Sequence, residues 1–277
     1  MKIYIMTDLE GVAGVINFQD WALSDGRYYN LAREFMTAEV NSAVDGLFEG
    51  GATEILVADG HGPGAVNVHQ LDPRVEYMRG WGEGPWPLVL DNTFDALVFV
   101  GQHSKSGTPY GHLAHTQSTN YLDLSINGIS IGEFGQLALC ASELGVRTIF
   151  GSGDLAFTKE AQALFPGIET VAVKRGVKPG TGNNLNEEEY MRFTSSAIHL
   201  NPIKARRMIR EGALRAITRA KNEEFGISKL DPPFERVVKF RPSANNTNWR
   251  ISQETHPSSI ISLMNMGYNP KPMESSS

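Results

Sequence analysis

Three short apolar runs of this chain are each followed, within a few residues, by groups that can bind a metal ion or transfer a proton. These groups are three carboxylates and two imidazoles, namely Asp8, Glu10, Asp59, His61 and His103. Mixed imidazole and carboxylate donors suit Zn²⁺, Mn²⁺ or Fe²⁺, and among these we favour zinc. Clustered carboxylates repel one another, and a bound divalent cation removes that repulsion. We therefore predict a metal site built from this set.

A further carboxylate and two loop histidines extend the candidate set. Glu133 stands at the start of a predicted helix, where an acidic residue is also favoured simply by the helix dipole. His112 and His115 lie in one loop, and a histidine in a loop beside a metal site is a candidate for acid–base catalysis. The pattern of residues leaves both histidines open for that role.

Two glycine-rich stretches match motifs of other chemistries less well. Residues 151–156 fit a relaxed dinucleotide fingerprint, but Asp154 stands where a pyrophosphate would bind and no clear acidic residue ends the next strand. Residues 128–132 have the spacing of a serine-nucleophile motif, but Ser130 lies in a predicted returning strand and not at a strand-to-helix turn. We favour neither a nucleotide site nor a nucleophilic serine.

Hydrophobic periodicity predicts the elements that must position these residues. Short runs rich in Ile, Val and Phe and bounded by glycine predict buried strands at residues 2–7, 54–58, 96–100 and 147–150. Apolar residues at helical spacing predict helices at residues 28–49, 133–144 and 154–164. This alternation predicts an α/β fold with a mostly parallel, Rossmann-like sheet and helices on both faces. Such sheets bind ligands outside the carboxyl ends of their strands, where the metal candidates fall.

The later part of the chain predicts a different organisation. Alternating apolar residues around Asn127-Gly128 predict a β-hairpin insertion near residues 108–132. We expect an α/β metal-binding core at residues 1–178 and a smaller α+β part at residues 179–277. The smaller part contains a predicted helix at 202–224, a strand at 236–240, and a tail from Pro270 to Ser277 that we expect to be disordered.

Composition excludes several classes of function. The 277 residues include 25 Lys and Arg against 31 Asp and Glu, and this net charge of −6 without a basic stripe argues against nucleic-acid binding. No apolar run approaches the ~20 residues of a membrane span. Asp8 comes too early for a signal peptide, and the single cysteine, Cys140, excludes an internal disulfide. We expect a cytoplasmic protein with no membrane association.

Five short motifs follow one another along the chain: Asp8-Leu9-Glu10-Gly11-Val12-Ala13-Gly14, Ala58-Asp59-Gly60-His61, Gly101-Gln102-His103, Ala114-His115-Thr116 and Ile129-Ser130-Ile131-Gly132-Glu133. In this order they resemble the motifs of the zinc-dependent D-aminopeptidases that are encoded with dipeptide transporters. The resemblance extends more weakly to about residue 240. After about Asn245 the chain departs from the family pattern. In the family this C-terminal segment is expected to shape the substrate pocket and the contacts between subunits, so the resemblance does not define these two features here.

The resemblance implies an activity and a role for each matching residue. It implies a metallo-aminopeptidase that hydrolyses short peptides with N-terminal D-amino acids through two zinc ions per subunit. The implied zinc ligands are Asp8, Glu10, His61, His103 and Glu133. Asp8 is implied to bridge the two ions, His115 is the implied catalytic histidine, and Asp59 is left with a structural role. A self-compartmentalising homo-oligomer, a decameric ring, is also implied.

Two other functions remain open at this stage. The same ligands could serve another two-metal amidohydrolase or a phosphoesterase, although a phosphate ester calls for basic residues at the rim and Lys105 is the nearest one. A dipeptide-binding protein without catalysis is the alternative outside enzymes, and its usual export is at odds with the N-terminus of this chain.

Overall fold

Two β-sheets organise the computed structural model, which describes residues 1–80, 85–228 and 230–273. In chain order the strands are β1 (Lys2–Thr7), β2 (Glu54–Asp59), β3 (Glu76–Met78), β4 (Ala96–Gln102), β5 (Tyr121–Ile126), β6 (Ile129–Ser130), β7 (Arg147–Asp154), β8 (Glu169–Gly176), β9 (Ala197–His199), β10 (Phe234–Phe240), β11 (Arg250–His256) and β12 (Lys271–Pro272). One sheet has the order β3-β2-β1-β4-β7-β8-β9 and is parallel except between β8 and β9. The other has the order β12-β11-β10-β5-β6 and is antiparallel. The predicted α/β fold with a mostly parallel sheet is confirmed.

Helices cover both faces of the parallel sheet. They are α1 (Tyr29–Glu49), α2 (Glu133–Glu143), α3 (Leu155–Leu164), α4 (Glu187–Phe193), α5 (Pro202–Ala220) and α6 (Ile260–Met264), and a π-helical turn covers Phe18–Ala22. Helices α1 and α5 bury their apolar stripes in a core on one face. Helices α2, α3 and α6 share a core with the antiparallel sheet on the other. Within the described residues, no helix combines the length and the apolarity that crossing a bilayer requires.

The burial pattern of the strands follows their position. Every residue of β4 is buried, because β4 lies in the middle of the parallel sheet with helices on both sides. Along β10 buried and half-buried residues alternate, since only one face of the antiparallel sheet meets the core. The strands and helices predicted from the sequence are present in the structure. Helix α5 is shorter than predicted, because it ends at Ala220 and not near Glu224.

The predicted disorder of the tail is wrong for its first residues. Lys271 pairs with Ile251, and Pro272 pairs with Arg250, so that β12 adds an edge strand to β11. Hydrophobic periodicity did not predict β11, because the residues of this strand are mostly polar. With β11 unpredicted, no partner strand was expected for the tail. Residues 274–277 of the predicted tail lie outside the described residues.

The elements after residue 179 divide between the two sheets. Strand β9 pairs with β8 at the edge of the parallel sheet, whereas β10 pairs with β5 in the antiparallel one. Helix α5 packs so closely on α1 that a Cβ at Gly46 would lie 2.2 Å from the carbonyl oxygen of Arg210. The division into parts at residue 178 stays a prediction.

A buried ion pair joins β10 to β11 and gives a prediction about stability. Arg236 and Glu254 are paired residues of the two strands, and the guanidinium donates from Nε at 3.1 Å and from Nη2 at 3.0 Å to the Glu254 carboxylate. Arg236→Met leaves Glu254 buried without its partner and should lower the free energy of unfolding by about 3–5 kcal/mol in urea titrations. Because the double variant Arg236→Met/Glu254→Leu removes both charges, it should recover most of that loss. A single variant as stable as the original would contradict this account.

Candidate metal centre

The order of the strands brings the predicted site residues to one edge of the parallel sheet. Strand β1 lies between β2 and β4, with Thr7 paired to both Asp59 and Val100, so all three strands end at the same level. The residues that follow these ends are Asp8 and Glu10 after β1, His61 after β2, and His103 after β4. The predicted rim is therefore a real cluster, and its members are buried.

Glu133 reaches the same cluster from the antiparallel sheet. Strands β5 and β6 form the predicted hairpin, in which Asn127 (φ 49°) and Gly128 (φ 76°) both have the positive φ that a type I′ turn requires. The chain then enters α2, with Gly132 as N-cap and Glu133 as the first helical residue. The hairpin thus delivers the Glu133 carboxylate to the rim of the other sheet.

Asp8 lies between two imidazoles. Its Oδ1 is 3.4 Å from Nδ1 of His61, and its Oδ2 is 3.0 Å from Nε2 of His103. Glu10 adds Oε2 at 3.2 Å from the same Nδ1 of His61. The two oxygens of Asp8 therefore face two different donor atoms, as a carboxylate between two cations would.

His103 and His115 face the Glu133 carboxylate together. Oε1 of Glu133 lies 3.5 Å from Nε2 of His103 and 3.7 Å from Nε2 of His115. The two imidazole rings stack with their centroids 3.9 Å apart. The described residues form two groups of possible ligands, each with its atoms within 4.8 Å, and both contain His103: Asp8, Glu10 and His103, and His103, His115 and Glu133.

Main-chain carbonyls fix the orientation and tautomer of all three histidines. The contacts join His61 Nε2 to Ala22 O at 2.8 Å, His103 Nδ1 to Ser104 O at 2.9 Å, and His115 Nδ1 to Leu113 O at 2.8 Å. A carbonyl oxygen only accepts, so each of these nitrogens carries the hydrogen. In the neutral ring the other nitrogen then presents a lone pair to the carboxylates, which is how protein imidazoles are arranged around a metal.

Two buried atoms test whether a metal ion fits. Glu10 Oε2 and His103 Nε2 are both buried, and neither has a hydrogen-bond partner among the described residues. A buried polar atom left unsatisfied costs about 1–3 kcal/mol. A cation between these atoms satisfies both, and the nitrogen and oxygen donors are those that zinc prefers. The site therefore fits a zinc ion.

The pKa values of the buried groups at the centre also indicate that the carboxylates stabilise positive charge there. Burial alone would raise the pKa of Asp8, but the neighbouring His103 and His61 hold that pKa well below its ordinary value. Burial alone would lower the pKa of both imidazoles, yet the nearby carboxylates raise the His61 and His103 pKa values well above the ordinary range. Protons on the imidazoles and a metal ion thus compete for the same atoms.

Asp59 faces away from both groups of possible ligands. Its carboxylate accepts hydrogen bonds from the backbone N–H groups of Ala65 at 2.9 Å and Val66 at 3.1 Å, and from the Tyr77 hydroxyl at 3.0 Å. These contacts close the loop of residues 60–66, which carries His61. The geometry gives Asp59 a structural role in orienting that loop.

The two loop histidines point to different places. His115 faces Glu133, whereas Nε2 of His112 lies 3.0 Å from the carbonyl oxygen of Ile16. Burial first, and then the nearby charge of Lys174, lower the pKa of His112 to about 2, which keeps its ring neutral. Only His115 joins one of the groups of possible ligands found in the described residues.

Two glutamines at the centre were missed from the sequence. Gln102 donates from Nε2 to Asp8 Oδ2 at 3.2 Å. Gln117 donates its backbone N–H to Glu133 Oε1 at 2.7 Å, from a left-handed conformation with φ 61°. Adjacency to His103 could have identified Gln102, whereas a polar loop residue such as Gln117 carries no signal that distinguishes it.

The weaker motifs have structural explanations. A Cβ at Gly153 would lie 1.7 Å from the carbonyl oxygen of Gln102, so this glycine allows β7 to approach the end of β4. Asp154 caps α3 by accepting from the backbone N–H of Phe157 at 2.9 Å. Ser130 donates to Asp123 within the hairpin, away from the histidines. These residues serve packing, capping and the hairpin.

Comparison with known proteins gives three findings. A sequence model of a D-aminopeptidase family, peptidase family M55, matches residues 1–255. The D-aminopeptidase of Bacillus subtilis strain 168 is 30% identical over 241 residues, which are 86% of this chain and 80% of that protein. The structure of the Zn-dependent D-aminopeptidase DppA from Bacillus subtilis, a self-compartmentalizing protease, matches with a TM-score of 0.79 and 25% identity over 94% of this chain and 93% of that one.

Proposed function

This chain belongs to the D-aminopeptidase family and is a hydrolase, and from that premise we propose that it removes N-terminal D-amino acids from short peptides at a centre with two zinc ions. The observation that carries the proposal is the arrangement of donors around Asp8, with His61, beside Glu10, at one of its oxygens and His103, beside Glu133, at the other. The two oxygens of Asp8, which face His61 and His103 separately, support a bridging role for this carboxylate.

The proposed zinc ligands are those that the family resemblance implies. They are Asp8, Glu10, His61, His103 and Glu133. When bound, zinc supplies a Lewis acid and a water acidified enough to attack a peptide carbonyl near neutral pH. Gln102 and Gln117 hold the carboxylates of Asp8 and Glu133 in place through their N–H groups.

His115 is the proposed catalytic residue. The Leu113 carbonyl keeps the hydrogen on Nδ1, which leaves Nε2 bare on the side of Glu133. The Phe18 ring packs edge-on against the imidazole with centroids 5.5 Å apart, and the His103 ring stacks on it. Held in this way, Nε2 can take a proton and pass it to the leaving amine as the peptide bond breaks.

We also propose that the enzyme acts in the cytoplasm as a homo-oligomer, and specifically as a decameric ring. The self-compartmentalizing assembly named for the Bacillus subtilis structure supports this proposal. Sedimentation equilibrium should give ten times the chain mass of 30.4 kDa. A particle of one or two chains at micromolar concentration would contradict the ring.

Metal removal and substrate stereochemistry test the activity together. Purified protein should hydrolyse D-alanyl peptides at least about tenfold faster than the matched L-alanyl peptides, because only one isomer can present its scissile carbonyl and its side chain correctly in a single pocket. A chelator should abolish the activity, and added zinc should restore it. A phosphate monoester serves as the control substrate. Hydrolysis of the phosphate ester alone, or cleavage of neither isomer, would contradict the proposal.

A further inference from the structure

Glu160 on α3 joins the two chain segments that carry His103 and Glu133. Its Oε2 accepts from the backbone N–H of Lys105 at 2.8 Å, and its Oε1 accepts from the backbone N–H of Gly132 at 3.1 Å. Lys105 follows His103 by two residues, and Gly132 immediately precedes Glu133. One carboxylate therefore connects the end of β4 to the start of α2.

The two segments are packed tightly where Glu160 holds them. A Cβ at Gly132 would lie 2.8 Å from Cβ of Lys105 and 3.1 Å from Oε1 of Glu160. In the part of the chain that the structure describes, the one direct polar contact between residues 103–107 and residues 131–135 joins the side chains of His103 and Glu133 at 3.5 Å, and no hydrogen bond joins their backbones directly. The carboxylate of Glu160 is therefore the group that connects the two backbones through hydrogen bonds.

Placing a carboxylate here is unfavourable by itself. Burial raises the pKa of Glu160 to about 7, and the N–H groups of Lys105 and Gly132 work against that rise. Glu160 does not cap the start of α3, because it lies in the second half of that helix. It also forms no ion pair among the described residues. What its geometry does provide is two acceptor oxygens for two loops.

We propose that Glu160 is a positioning residue that sets the distance between His103 and Glu133 and thereby the geometry of the ligand group formed by His103, His115 and Glu133. This inference rests on the proposed function, since it takes His103 and Glu133 to be zinc ligands, with the catalytic His115 beside them. Glu160 acts through the backbone of Lys105 and Gly132 and lies outside both ligand groups. Only a carboxylate presents two equivalent acceptors, whereas a glutamine of the same size presents one.

The test is Glu160→Gln, measured by zinc titration as well as by activity. In the variant an amide NH₂ faces one of the two backbone N–H groups, so one segment is released. We expect the weaker-bound of the two zinc ions to lose about 10- to 100-fold in affinity, as when a residue that supports metal ligands is changed. We expect kcat to fall by a similar factor with KM within about twofold, because the substrate contacts are not altered. The near-ultraviolet circular dichroism of the metal-free variant confirms the folded fraction used in each titration.

Glu143→Gln is the matched control. Glu143 lies at the other end of α2, where its Oε2 accepts from the backbone N–H groups of Ile260 at 2.6 Å and Ile261 at 3.1 Å and its Oε1 accepts from the Ser259 hydroxyl at 2.7 Å. The substitution therefore changes a glutamate that also joins its helix to another segment, but one far from the centre. We expect this variant to keep its zinc affinities and its kcat at the original values.

The outcomes separate the positioning role from the proposed function. If Glu160→Gln binds both zinc ions as tightly as the original and keeps its kcat, the positioning role is wrong, whatever happens to its thermal stability. If Glu143→Gln weakens zinc binding as much, the effect is general loosening and the role is equally wrong. An original protein that binds two zinc ions but cleaves no D-alanyl peptide would contradict the proposed activity, and the zinc titrations would still decide the role of Glu160.

Discussion

Replacing Asp8 with asparagine should remove at least one zinc ion and lower kcat/KM by about 10³-fold or more, which corresponds to at least about 4 kcal/mol of lost transition-state stabilisation. Asparagine has the same shape, but it carries no charge and offers only one acceptor oxygen. Its NH₂ group would face either Nδ1 of His61 or Nε2 of His103, where a metal ligand is needed. Metal analysis by mass spectrometry, together with steady-state kinetics on a D-alanyl peptide, measures both effects.

Asp59→Asn is the control for this prediction. Asp59 is equally buried and ends the neighbouring strand, but its carboxylate accepts from Ala65, Val66 and Tyr77 and takes no part in either ligand group. We expect a loss of about 1–3 kcal/mol in stability, because acceptors of buried N–H groups are removed. Its zinc content should be unchanged. If Asp8→Asn retained both zinc ions, or if Asp59→Asn lost them, the assignment of ligands at the rim would be wrong.

His115→Ala should leave two bound zinc ions and reduce kcat by about 10²- to 10⁴-fold, the range usual for loss of an acid–base group. The substitution leaves all five proposed zinc ligands in place, namely Asp8, Glu10, His61, His103 and Glu133. What is lost is the bare Nε2 that moves the proton. Kinetics and metal analysis on the same sample separate these two results.

His112→Ala provides the comparison within the same loop. His112 is as buried as His115, but its ring points to Ile16, so this variant should lose stability and keep its kcat per folded molecule. Undiminished turnover in His115→Ala would rule out a catalytic role for that residue. Loss of one zinc ion in His115→Ala would instead make it a ligand, which the 3.7 Å between its Nε2 and the Glu133 carboxylate allows.

The half of the site on the parallel sheet was predictable from the sequence for a simple physical reason. Parallel strands end at a common edge, and β2, β1 and β4 are neighbours in the sheet. Residues that follow three apolar runs must therefore meet, whichever helices connect the strands. The Asn127-Gly128 pair predicted the tight hairpin directly before Glu133, and the role of Glu133 at the site came from the family resemblance.

The other half of the site depends on contacts that no local pattern encodes. Strand β5 pairs with β10, more than a hundred residues later, and the sequence of neither strand specifies its partner. Leu113 has φ 52°, an unusual conformation for a leucine, and its carbonyl reaches His115 from there. Glu160 is one of two charged residues on α3, beside Lys159, and only the three-dimensional arrangement shows that it binds two loops.

The pairing of β5 with β10 has a consequence for the order of events during synthesis. The Asp8, His61 and His103 edge needs only β1, β2 and β4, all of which are present once about the first hundred residues have been made. The hairpin that supports Glu133 gains its neighbouring strand only when residues 234–240 have emerged from the ribosome. Such a long-range pairing forms late, because its loop must close first. The nascent chain can therefore bring together Asp8, His61 and His103 well before the strand that supports Glu133 is available.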